Sequence, residues 1–105
     1  MERYIIAARL KPGKAAEAEE TLAMGPPFDP AGVGLSGHAA YLSSDVVYLL
    51  FEGETARTTA LQLAREHLVD VSRWQGIVTG LPSSVAEVPH DARCMYCWRS
   101  SDPMT

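Results

Sequence analysis

The sequence predicts an α+β domain, and three observations carry that prediction. Short runs rich in Val, Ile, Leu and Tyr mark strands. Two stretches place apolar residues at steps of three and four, the mark of helices. Clusters of Pro and Gly separate the two kinds of segment. A chain of 105 residues fits this pattern as one domain, residues 1–105.

The first strand is "RYIIAARL", Arg3 to Leu10, stopped by Pro12 and Gly13. "KAAEAEETLAM" follows, with Ala15, Ala18 and Leu22 on one helical face, Glu17, Glu19 and Glu20 towards solvent, and Gly25 at its end. The stretch "GPPFDPAGVGLSG", Gly25 to Gly37, is a loop in its first half at least. Leu35 to Leu42 is the second strand, "SSD" the turn, and Val46 to Gly53 the third strand, which makes an antiparallel hairpin. From Thr55, "TARTTALQLAREHLVDVSRW" is the second helix, closed by Gly76 and Gly80-Leu81-Pro82. Ser83 to Val88 is the fourth strand. Residues 89–105 form a C-terminal strand or arm and a frayed tail.

The order β-α-β-β-α-β is the ferredoxin-like one, with a four-stranded antiparallel sheet covered on one face by both helices. In the third strand Val47, Leu49 and Phe51 point one way, and Val46, Tyr48 and Leu50 the other. Both sides are apolar, whereas a sheet open to water on one side alternates apolar with polar. Two helices cannot cover both faces. The expectation is a homodimer with its sheets packed face to face.

Composition excludes several classes. An apolar fraction of 47% and a charged fraction of 21% are those of an ordinary globular domain. A net charge of −4, with its nine basic residues spread along the chain, argues against nucleic acid. The longest apolar runs fall far below the ~20 residues a membrane-spanning helix needs. With two cysteines and no signal-peptide layout at "MERYIIAARLK", a reducing cytoplasm is the default compartment.

"RYIIAARLKPGKAAEAEETL" and "GHAAYLSSDVVYLLFEGETARTTALQLARE" resemble the opening strand, turn and helix, and then the hairpin and second helix, of the dimeric α-β barrel superfamily. That group includes antibiotic-biosynthesis monooxygenases, small polyketide cyclases, muconolactone isomerases and YCII-related proteins. The resemblance covers roughly residues 2–88 and lies in architecture rather than in a catalytic signature. It implies a homodimeric barrel with a ligand pocket between helices and sheet. The activity it implies is that of a cofactor-independent oxygenase, cyclase or isomerase acting on an apolar, aromatic or polyketide-like molecule. A non-catalytic ligand-binding or stress-associated dimer is the alternative.

Several residues are candidates for such a site. His67 lies in the apolar stripe of the second helix and is the acid/base candidate, against the plainer reading of a core-edge histidine. Tyr48 and His38 on the hairpin would orient a substrate, His38 lining the same pocket or the dimer interface. Trp74 would wall a flat ligand, Arg9 would meet an anionic group, and Tyr41 offers a further hydroxyl. No cofactor is expected.

"HDARCMYCWRS" carries both cysteines as C-x-x-C. In an extended strand, residues three apart point to opposite faces with Cα atoms ~10 Å apart. A disulfide spans about 7 Å at most. Zinc needs about four ligands, so Cys94 and Cys97 would require His90 or His38 and a partner chain. The expected role is a strand or arm in which Tyr96 and Trp98 supply buried area, with zinc and redox as alternatives.

Overall fold

The computed structural model describes residues 2–26, 28–65 and 76–100. Its elements are β1 (Glu2–Leu10), α1 (Ala15–Ala23), β2 (Leu35–Leu42), β3 (Val46–Gly53), α2 (Ala56–Ala64), β4 (Val78–Val85) and β5 (Arg93–Arg99). The class is α+β, with a β-α-β-β-α-β-like core. Residues 66–75, to which the second helix was expected to extend, lie outside the described residues.

The four-stranded sheet expected from the sequence is not what forms. Among the described residues the sheet has five antiparallel strands in the order β4-β1-β3-β2-β5, so β5 adds a strand beyond β2 and the ferredoxin-like four-stranded sheet is corrected. The fourth strand also begins earlier than expected, at Val78, and ends at Val85. Pro82 within it is compatible with a strand because β4 is an edge, where a missing N–H costs no ladder bond.

Alternation along each strand sorts the side chains onto two faces. Ile6, Ala8 and Leu10 of β1, Val47 and Phe51 of β3, and Ala40 and Leu42 of β2 belong to the clusters under the helices. Helix α1 contributes Ala18 and Leu22, one turn apart, and ends where Gly25 takes a positive φ of 82° and donates its N–H to the Leu22 carbonyl (3.0 Å). Helix α2 contributes Ala56, Ala60 and Leu63, and the two alanines let it pack close to Phe51 and Ile6.

The opposite face holds Ile5, Ala39 and Leu50, all buried, with Tyr41, Tyr48, Val85 and Val88 packed against them. This overturns the face-to-face homodimeric barrel. The sheet is open, with β4 and β5 as its two edges among the described residues, and the second face finds cover within its own chain. Because β4 and β5 lie at opposite edges, residues 86–92 must traverse the sheet, and Val88 lies on the apolar cluster at its centre. Four inter-strand steps of ~4.8 Å total roughly 19 Å, and seven extended residues reach roughly 23 Å. Ile5 and Leu50 are 2% and 6% exposed in the single chain, so nothing about them calls for a partner protomer.

The C-terminal edge is pinned by charge as well. Arg99 of β5 donates to the Glu52 carboxylate of β3 at 2.8 Å, reaching over the intervening β2. Gly37 lies beneath that bridge, and a Cβ there would stand 2.6 Å from the Glu52 carboxylate oxygen. A second pair, Arg93 to Glu19 (2.6 Å), ties β5 to α1.

Candidate functional site

His38 is the one buried polar side chain among the described core residues, with 1% of its surface exposed. Register places it in a cross-strand row, Tyr4–Phe51–His38–Trp98, on the face beneath the helices. Three aromatic rings close around the imidazole. Phe51 lies 4.8 Å away between centroids, Phe28 5.0 Å and Tyr96 5.3 Å, all tilted. Phe28 comes from the Pro- and Gly-rich loop after α1, so that loop does more than connect: it sets a ring against His38.

Both ring nitrogens are engaged. Nδ1 lies 2.9 Å from the Leu50 carbonyl oxygen, which can only accept, so Nδ1 carries the proton. In the neutral ring Nε2 is then an acceptor, and the Tyr96 hydroxyl, 2.7 Å away, donates to it. Burial pulls the imidazole down to about 4, against the opposing pull of the Leu50 carbonyl. Burial likewise pushes the Tyr96 phenol up. Both groups therefore stay neutral at physiological pH. No buried side-chain nitrogen or oxygen among the described residues lacks a partner.

The other sequence candidates fall in different places. Tyr48 and Tyr41 face each other across β3 and β2 on the far side of the sheet, against Ile5 and Leu50, so the backbone separates them from His38. Arg9 is exposed near the end of β1, where it lines a shallow cavity of about 300 Å³ with Lys11, Ser44, Asp45 and Thr79. His67 and Trp74 lie outside the described residues. His90 is exposed, in the turn before β5. Among the described residues no group of three or more His, Cys, Asp or Glu side chains could hold a metal ion. The residue that sequence reasoning missed is Tyr96, whose hydroxyl is the partner of His38. The pairing of β5 with β2, which carries it there, leaves no mark in either strand alone.

The expectation that Cys94 and Cys97 point to opposite faces is also corrected. The β2–β5 ladder pairs Ala39 with Cys97 and Tyr41 with Cys94, with a register shift between. Met95 is the extra residue of a β-bulge. Met95 and Tyr96 both pack towards the helices, and both cysteines lie on the far face with Ala39 and Tyr41. Both thiols are exposed and free, and Cys94 Sγ donates to the Tyr96 carbonyl (3.5 Å).

No protein-family model matches the chain, and no curated protein or solved structure matches it. The functional reading therefore rests on the geometry of these residues.

Proposed function

We propose that this small α+β domain binds an aromatic small molecule bearing a neutral hydrogen-bond donor, such as a phenol or enol, at the aromatic row around His38 and Tyr96. The observation that carries the reading is the polarity of the hydrogen-bond chain. The Leu50 carbonyl fixes the imidazole tautomer, the imidazole then fixes the Tyr96 proton, and the phenolic oxygen is left with its lone pairs alone. Tyr96 is half-buried, with Met95 packed beside it and Phe28 and Trp98 flanking His38, so the exposed part of its ring borders apolar and aromatic side chains. A ligand donor at that oxygen completes the chain, and a ligand acceptor there would meet only lone pairs.

The same features favour holding a ligand over acid–base turnover. An imidazole held down to about 4 is a weak base at neutral pH, and a phenol pushed up is a weak acid.

Trp98, cross-strand neighbour of His38, supplies the readout. In a Trp74→Phe background it is the sole indole. Quenching of its fluorescence by a naphthol is expected to be roughly three- to tenfold tighter than by the methyl ether of the same naphthol, the worth of about one hydrogen bond. Tyr96→Phe should abolish that preference. Equal binding of naphthol and ether, or no quenching by either, defeats the proposal.

A further inference from the structure

We infer that Cys94 and Cys97 form an exposed dithiol that closes to a disulfide within β5 by exchange with a low-molecular-weight disulfide. This inference concerns the far face of the sheet and is independent of the binding role proposed for the His38 face. A regular strand would send the two thiols to opposite sides. The bulge at Met95 instead sets four residues of β5, Cys94 to Cys97, against three of β2, Ala39 to Tyr41. The Cα atoms of the two cysteines therefore stand opposite residues two apart on one pleated strand, about 7 Å, at the upper margin of what a disulfide bridges. Both side chains are exposed on an edge strand, open to an incoming reagent. A second observation places them around a common neighbour. The Tyr41 phenol is raised first by burial and then by Cys94 and Cys97 together, while Arg3 and Arg99 oppose the rise.

The chemistry balances with glutathione disulfide as the oxidant. One cysteine thiolate attacks a sulfur of the reagent, forming a mixed disulfide and expelling one glutathione thiolate, which takes up a proton. The second cysteine, deprotonated, attacks the protein sulfur of that mixed disulfide and expels the second glutathione. The protein loses two electrons and two protons, and the reagent is reduced to two thiols.

The test is intact-mass spectrometry of the reduced, folded full chain after exposure to glutathione disulfide. Wild type should become two hydrogens lighter and carry no adduct, whereas Cys94→Ser and Cys97→Ser should each stop at one bound glutathione. The same chain in urea gives the closure rate of an unconstrained C-x-x-C, and the folded chain should close within about tenfold of it. Closure slowed a hundredfold or more by folding, two glutathiones held on the wild type, disulfide-linked chain pairs, or no reaction would each overturn the inference. Both cysteines are exposed, so the serine variants are expected to fold, and far-ultraviolet circular dichroism confirms it.

Discussion

The state of His38 makes a quantitative prediction for stability against pH. In the unfolded chain its imidazole takes up a proton near the ordinary value of 6.5, and in the fold near about 4. Between those values the unfolded state binds more protons, so stability rises with pH in that window. The contribution is complete above about pH 6.5, declines as pH falls through the window, and is gone below about 4. The gap corresponds to about 3 kcal/mol, of which about 2 kcal/mol is lost by pH 5. Against the 5–15 kcal/mol typical of a domain, that is a large share. Urea denaturation at closely spaced pH values from 7.5 to 4.5 measures it, with His38→Gln as the reference. The Gln side chain can accept from Tyr96 but does not titrate, and His67 and His90 remain in both proteins. The difference between the two stability curves should slope by about 2–3 kcal/mol across the window. Parallel curves would mean that the imidazole is solvated in the native state, and the buried hydrogen-bond chain would fall with it.

Tyr96→Phe should cost about 1–3 kcal/mol by urea denaturation, because Nε2 of a buried imidazole is left without its donor. Val88→Asp should cost about 2 kcal/mol and increase binding of a hydrophobic dye, since it sets a charge on the Ile5–Leu50 cluster; an unchanged midpoint would show that the crossing segment does not cover the second face. Gly37→Ala should cost less than about 1 kcal/mol, because the Glu52 carboxylate can swing aside and gives up only its bridge to Arg99. Arg99→Ala in that background should then add nothing further, a non-additivity that a double-mutant cycle reads directly.

The hairpin and the start of each helix were legible because local chemistry decides them. Leu35–Leu42 and Val46–Gly53 carry apolar residues on both faces between clear turns, and they form as expected. Gly80 and Pro82 pointed to a break, and only the edge position of β4 makes a strand possible there. Val88 looked like the end of a strand, yet it lies in the segment that crosses the sheet. That crossing depends on the spatial order of strands, which no local pattern encodes. The apolar second face of β3 was read correctly as covered, but the cover was assigned to another molecule. For the site, His38 was visible as a candidate while its partner was not. Tyr96 reaches it through a pairing across 58 positions, and the bulge at Met95 that sorts tyrosine from cysteine leaves no periodic signal.

The segment 86–92 also bears on the order in which the chain assembles. It can lie across β1, β3 and β2 only once those strands are side by side, so the crossing is completed only when both β4 and β5 are paired. The expected order is a nucleus drawn from the β2–β3 hairpin and the strand beside it, with β5 docking afterwards. Substitutions in β5 should accelerate unfolding and leave the refolding rate nearly unchanged, whereas substitutions at Val47 or Phe51 should slow refolding. On that order the imidazole of His38 acquires its second hydrogen bond, from Tyr96 of β5, only when the last strand docks.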